Sequence, residues 1–241
     1  MEKVRAIVVR ASDKKEKDKN ILLFSIEKGK IWATLKGVKN SFAKMKIAQN
    51  PFCFGEFILE NGKMGQIVTG FESIETFHEI SEDVDKYFEG TAILEILNAM
   101  EFETERDRKQ IFVLAINALK TLCFDKVRGC YVLEKFMLEI FKISGFPLLT
   151  NKCSCCGATA FEKFYIDYSS GEIVCAGCKN FNSEELEKTT YLAMKFLSQT
   201  DFEKLRTLKF AEGSEIGLLK ILTKNFSFRF DKNLKFIGLL S

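Results

Sequence analysis

The chain has 241 residues, enough for one sizeable hydrophobic core or two modest ones without help from disulfides. Hydrophobic residues make up 46% and charged residues 29%, with 2 Pro and 15 Gly, which excludes the collagenous and disordered classes. The formal charge of +3 is unevenly spread, with residues 1–46 at +8, 47–80 at −4, 81–110 at −5 and 203–241 at +4, so the N-terminal segment is where a polyanion would be met.

Met1-Glu2-Lys3-Val4-Arg5 runs straight into a strand-like segment with no signal-peptide pattern. Charged residues interrupt every apolar stretch before the roughly 20 residues that a membrane span needs. The expectation is a cytoplasmic protein with no membrane partner. Five short β-branched or aromatic runs follow at 4–10, 20–27, 30–36, 52–60 and 64–71. Gly29 suits a hairpin turn between the second and third, and Asn61-Gly62 one between the fourth and fifth. With one short helix-period stretch around 41–49, this pattern describes a small barrel or a sandwich.

The period changes after His78. Ser81 is expected to cap a helix with Val84, Tyr87, Phe88, Thr91, Leu94 and Leu97 on its apolar face. Thr104-Glu105-Arg106-Asp107 reads as a capping box ahead of Ile111, Phe112, Ala115, Ile116, Leu119 and Cys123. A third helix carries Leu133, Phe136, Met137, Ile140 and Phe141 and stops at Gly145, with Pro147 beyond. After a cysteine-rich stretch at 152–179, further helices are expected near 183–199 and 214–226.

Within that stretch, Cys153, Cys156, Cys175 and Cys178 form two Cys-x2-Cys knuckles 18 residues apart, with Cys155 left over. Each knuckle turns two sulfurs toward one point, and four thiolates make the tetrahedron that Zn²⁺ favours. Buried or redox-active cysteines and an iron–sulfur cluster are the competing readings. Four sulfur ligands leave no open position, so one Zn²⁺ here would be structural. The runs 161–166 and 172–174 suit a zinc-ribbon hairpin, with Gly157 and Gly177 where the knuckles leave little room. Cys53, Cys123 and Cys130 lie in apolar runs and read as core.

His78 is the single histidine and is expected on the surface, which removes most Ser-His and Cys-His mechanisms. There is no Gly-rich phosphate loop, G-x-S-x-G, or H-x-E beside the cysteines. No catalytic residue is assigned, and the chain is read as no enzyme. The basic residues Arg10, Lys14, Lys15, Lys36, Lys39, Lys44 and Lys46 are the candidates for following a phosphate backbone, with Phe24, Trp32 and Phe42 as candidates for base stacking. A solvated surface is the competing reading of the lysines, and a core role that of the aromatics.

The order of parts carries a resemblance. It rests on Val4-Arg5-Ala6-Ile7-Val8-Val9-Arg10, Gly29-Lys30-Ile31, Lys36-Gly37-Val38-Lys39, Pro51-Phe52, Gly55-Glu56-Phe57, and Gly145-Phe146-Pro147 leading into Cys153. This is similar to the bacterial RecO family of recombination mediators across nearly the whole chain. The resemblance implies an α+β multidomain protein: a five-stranded OB-fold barrel at 1–78, then a helical domain at 79–241 with a zinc-binding insert at 150–181. It implies binding of single- and double-stranded DNA, annealing of complementary strands, and loading of RecA, contacted indirectly, onto strands covered by single-stranded DNA-binding protein. RecR is the implied partner, and the place of work is the nucleoid. It also implies capture of the acidic C-terminal tail of single-stranded DNA-binding protein, for which Lys126 and Arg128 are the candidates. The chain departs from the family pattern in its lysine-rich 14–20 and in Lys39-Asn40-Ser41, where an Arg-rich run is usual. The alternative class is a zinc-ribbon adaptor of transcription or translation machinery that binds RNA or protein.

Overall fold

The structure is a computed structural model that describes residues 1–14, 17–38, 43–102, 104–148, 151–160, 162–211 and 213–236. The side chains of Ala43 and Lys44 also fall outside the description. The chain divides into two compact units, Met1–Phe124 and Asp125–Ser241. This division by packing comes later than the change of period at residue 78.

The first unit opens with β1 (Glu2–Asp13), β2 (Lys19–Ser25) and β3 (Gly29–Leu35), then α1 (Ala43–Ile47), β4 (Phe54–Gly62) and β5 (Gly65–Glu75). The strands close into a barrel in the order β1-β2-β3-β5-β4, with β3 and β5 parallel and the other pairs antiparallel. Period-two alternation builds the interior: Val4, Ala6 and Val8 meet Ile21, Leu23, Ala33, Leu35, Phe57, Leu59 and Val68 inside. Gly29 takes φ +74°, as the first hairpin turn requires. The second turn falls two residues later than Asn61-Gly62, because Gly62 pairs with Gly65 and leaves Lys63 and Met64 as its apex. The fourth strand also begins later than residue 52. Phe52 is buried in the left-handed region at φ +71°, and its N–H donates to the Val8 carbonyl, so the chain turns there before β4 starts.

Three helices complete this unit: α2 (His78–Glu82), α3 (Val84–Ala99) and α4 (Glu105–Phe124). Ser81 lies inside α2 and caps nothing; the cap of α3 is Asp83, whose carboxylate accepts from the Lys86 N–H at 3.1 Å. Of the expected apolar face, Leu94 and Leu97 are buried but Val84 and Tyr87 are exposed, and α3 also buries Gly90, Ala92, Ile93 and Ile96. Thr104 does cap α4, accepting from the Asp107 N–H at 3.1 Å. These helices lie against part of the barrel exterior. Phe24 stacks on Phe102 at 4.7 Å and meets Phe112 at 5.6 Å, while Arg108 donates to the carbonyls of Ile26 and Glu27.

The second unit contains α5 (Gly129–Ile143), a small sheet of β6 (Phe164–Asp167), β7 (Glu172–Cys175) and β8 (Ser183–Leu186), then α6 (Lys188–Gln199), a 3₁₀ segment (Phe202–Thr207) and α7 (Ser214–Phe230). The sheet is antiparallel in the order β7-β6-β8. The expected helix near 183–199 therefore starts only at Lys188, because residues 183–186 pair with β6. The end of α5 is a Schellman motif: the Phe146 N–H reaches the Phe141 carbonyl at 2.8 Å and the Gly145 N–H the Lys142 carbonyl at 3.2 Å. Phe226 packs on Phe230 at 4.6 Å and both meet Phe141, which ties α5 to α7. Phe164 on Tyr191 and Tyr168 on Phe228 tie the sheet to α6 and α7. Among the described residues no helix is long and apolar enough to cross a membrane.

Candidate metal centre and nucleic-acid interface

The sulfurs of Cys153, Cys156, Cys175 and Cys178 all lie within 4.8 Å of one another. Local backbone geometry brings them there. In the first knuckle the Gly157 N–H returns to the Cys153 carbonyl at 2.9 Å and the Cys153 N–H donates to Ala158 at 2.7 Å. In the second the Cys178 N–H returns to Cys175 at 3.0 Å. The β6–β7 hairpin carries Cys175 at its end and sets the two knuckles face to face. Gly157 is required for its φ of +75° and not for space, whereas a Cβ at Gly177 would stand an ordinary 3.9 Å from the Cys175 sulfur. The expectation of a crowded second knuckle is thus not met.

Cys156 and Cys175 sulfurs are 3.8 Å apart, which matches the edge, about 3.8 Å, of a sulfur tetrahedron around an ion with bonds of about 2.3 Å. The donors fit a thiophilic ion. Burial opposes charge on the Cys153 thiol, but backbone N–H groups of Cys156, Cys175 and Cys155 aim at its sulfur and bring it down to about 6. Sulfurs of Cys156, Cys155 and Cys175 hold the proton on Cys178 well above the usual thiol range. A bound divalent cation would balance the Cys153 thiolate and displace the proton from Cys178. Cys155 is exposed and outside the cluster. Cys53 and Cys123 are buried, each pushed up to about 12, primarily by burial, and Cys130 is half-buried. His78 is exposed and faces Glu82 at 3.2 Å.

On the barrel, register decides which basic residues share a face. A bulge at Val9 puts Arg10 opposite Leu22 and Ser12 opposite Asn20, and β2 in turn pairs Leu22 with Trp32 and Asn20 with Thr34. Directly paired residues point to the same side. Arg10, Ser12, Asn20, Trp32 and Thr34 therefore form one outer face of β1–β2–β3. Lys14 joins it, its ammonium donating to Thr34 Oγ1 at 2.9 Å, and Thr34 in turn donates to Asn20 Oδ1 at 3.1 Å. Lys36 follows directly on β3 and is exposed. Next to it the Gly37 N–H donates to the Asp18 carboxylate at 2.9 Å, which pins the β1–β2 connection to the end of β3.

Of the other sequence candidates, Lys46 is exposed on α1, whose Met45 and Ile47 pack on the barrel core. Lys15, Lys39 and Phe42 lie outside the described residues, and the Lys44 side chain does also. Phe24 is a core residue under α4 and is unavailable for stacking on bases. Trp32 is 53% exposed.

The second unit holds a pocket of about 360 Å³ at the start of α5. Its rim is basic, with Lys126, Arg128, Arg206 and Lys209, and Tyr131, Leu205 and Phe210 supply apolar wall. The Phe210 N–H donates to the Tyr131 hydroxyl at 3.3 Å and the two rings meet at 4.9 Å, which holds that wall in place. Arg128 lies over Tyr131 and pairs with the buried Glu215 at 2.5 Å. Behind them Glu134 is fully buried, with neither carboxylate oxygen hydrogen-bonded among the described residues. Burial and the charge of Glu215 push its carboxyl well above the usual range, against the pull of Arg128. A second pocket of about 490 Å³ shares Leu208, Lys209 and Phe210 and adds Leu192 and Phe196. Sequence reasoning missed Arg206, Lys209 and Phe210 here, since a 3₁₀ segment and loop carry no period.

Comparison with known proteins places both units. The family model "Recombination protein O N terminal" matches residues 1–77 and "Recombination protein O C terminal" matches residues 81–235. The DNA repair protein RecO of Clostridium novyi is 28% identical over 235 residues, covering 97% of this chain and 91% of that protein. The DNA repair protein RecO of Desulforamulus reducens is 30% identical over 237 residues, with the same shares covered. That of Clostridium perfringens is 26% identical over 221 residues, covering 89% of this chain and 87% of its own length. With a closed five-stranded barrel, a helical region, a four-cysteine cluster and family matches along nearly its whole length, the chain belongs to the RecO family of DNA repair proteins.

Proposed function

We propose that this chain is a non-catalytic recombination mediator that binds single- and double-stranded DNA on its barrel and anneals complementary strands. In this reading it works at the nucleoid with RecR to load RecA onto strands covered by single-stranded DNA-binding protein. The observation that supports the proposal is the outer face of β1–β2–β3, which carries Arg10 and Lys14, with an exposed Lys36 directly after β3, within a segment of net charge +8. The same face and the β1–β2 connection are where barrels of this topology commonly hold oligonucleotides. Annealing then needs no covalent chemistry. Cations that neutralise two phosphate backbones reduce their repulsion and release counterions, so complementary bases can meet.

The cysteine cluster holds one structural Zn²⁺ in this reading, through Cys153, Cys156, Cys175 and Cys178; the ion supplies cross-linking of the two knuckles. The pocket at 126–131 and 205–210 receives the acidic tail of single-stranded DNA-binding protein. Lys126, Arg128, Arg206 and Lys209 suit its carboxylates, and the apolar second pocket suits an aromatic end.

The test is a triple variant, Arg10→Glu, Lys14→Glu and Lys36→Glu, assayed for strand binding across a salt series and for annealing. Each phosphate neutralised on a single strand contributes about −0.7 to the log–log salt slope, so removal of three contacts flattens it by about 2. Binding and annealing should fall while melting temperature holds, since exposed charges add little to stability. An unaltered affinity and slope would overturn the assignment of this face. Absence of annealing by the unmodified protein, together with tight RNA binding, would favour the adaptor class.

A further inference from the structure

We infer that Trp32 makes the barrel face selective for unpaired bases, so that a strand loses its grip on the protein once it has been annealed. The inference rests on the nucleic-acid reading of that face and adds to it which state of the DNA the face prefers. Three observations carry it. Trp32 is an indole left 53% exposed in mid-strand on β3, although a residue of that size is normally well covered. It stands opposite Leu22 and thus in the same cross-strand row as Arg10, with Lys14 anchored on Thr34 of the same strand and Lys36 just past the strand's end. The other half of this outer face is different in kind: Phe24 and Lys30 lie under helices, with Phe102 stacked on one and Glu101 paired to the other at 3.2 Å. The aromatic ring therefore sits at the open half, with Arg10 in its cross-strand row and Lys14 two residues on at Thr34.

Cations alone do not distinguish one phosphate backbone from two. An exposed indole does, because an unpaired base offers a free π-face, whereas a base within a duplex is already stacked on both sides. Opening a duplex step for insertion means paying for the lost stacking. Arg10, Lys14 and Lys36 hold either form of DNA, and Trp32 adds affinity only for the single strand. When two strands pair, that contribution disappears and the product leaves more readily than the substrates.

The chain contains 1 Trp, so its intrinsic fluorescence reports this site alone. The experiment uses the full zinc-loaded chain with two probes, an oligothymidylate and a relaxed closed circular duplex that has no ends. Fluorescence should be quenched by the oligothymidylate and unchanged by the circle at saturating binding. Trp32→Ala should weaken oligothymidylate binding by about 5- to 150-fold, the range that alanine substitution of base-stacking aromatics gives. Duplex affinity should stay within about twofold, and the salt slopes of both should be unchanged. Trp32→Phe should recover most of the loss. Tight strand binding by anisotropy without quenching, or equal losses for both DNAs in Trp32→Ala, would overturn the inference and leave the nucleic-acid face standing. No anisotropy change with either DNA would overturn the nucleic-acid reading and this inference with it.

Discussion

Replacing Glu134 with Met should stabilise the second unit, and by more at pH 7.5 than at pH 6. The side chain is fully buried on α5, both its oxygens lack hydrogen-bond partners among the described residues, and Glu215 adds like charge. Such a carboxyl keeps its proton in the folded chain at pH values where the unfolded chain, near the ordinary 4.5, has released it. Folding then takes up a proton, so stability falls as pH rises between those two values. The slope is at most about 1.4 kcal/mol per pH unit, reached wherever the folded carboxyl is protonated and the unfolded one is not. Even protonated, an unsatisfied buried carboxyl costs about 1–3 kcal/mol relative to an apolar group of the same shape. Glu134→Met removes both costs, and Met is unbranched like Glu and fits the same space. The assay is urea unfolding followed by far-UV circular dichroism at the two pH values with zinc in excess. A gain that is equal at both pH values would refute the reasoning, since it would mean that burial does not keep the Glu134 carboxyl protonated in that range.

Cys178→Ser should abolish metal binding by the four-cysteine cluster and, if the cluster holds an ion as proposed, the fold of the β6–β7–β8 sheet with it, because apo knuckles of this kind seldom fold alone; elemental analysis and near-ultraviolet circular dichroism read both. Gly55→Ala should destabilise the barrel by about 1–3 kcal/mol, since its Cβ would fall 2.4 Å from the Glu72 carbonyl oxygen and 2.5 Å from the Phe71 ring; a melting temperature equal to that of the parent would count against the close approach. Lys126→Glu with Lys209→Glu should weaken binding of an acidic, Phe-ended tail peptide at least tenfold in a calorimetric titration. Both residues are exposed on the pocket rim, so the fold should tolerate the change, whereas Arg128 is needed to balance Glu215.

The parts legible from the sequence were those written in short-range pattern. Alternation at Val4, Ala6 and Val8 or at Ile21 and Leu23 exposes a half-buried strand directly, and two Cys-x2-Cys knuckles announce convergent sulfurs wherever the chain puts them. What was not legible depends on pairing across distance. Ser183–Leu186 has the composition of a helix start, yet it becomes a strand because Leu186 and Glu185 meet Phe164 and Tyr165. The cap moved from Ser81 to Asp83 because α2 occupies the residues ahead of it, and both are good capping types. Val84 and Tyr87 fit a helical stripe but lie on the side that solvent reaches. The distinction between Phe24 and Trp32, one covered and one open on the same strand face, depends on where α4 lies.

The helices laid over part of the barrel exterior set a limit on how the protein can be divided. A fragment ending near residue 78 would keep all five strands but strip the cover from Phe24, which is 0% exposed in the whole chain, and would leave Phe54 without Phe112. Such a contiguous apolar patch invites self-association. The shortest fragment suited to crystallisation with an oligonucleotide, or to spectroscopic titration, therefore runs to Phe124, the end of the first compact unit. Binding measured on a shorter piece would mix strand capture with aggregation.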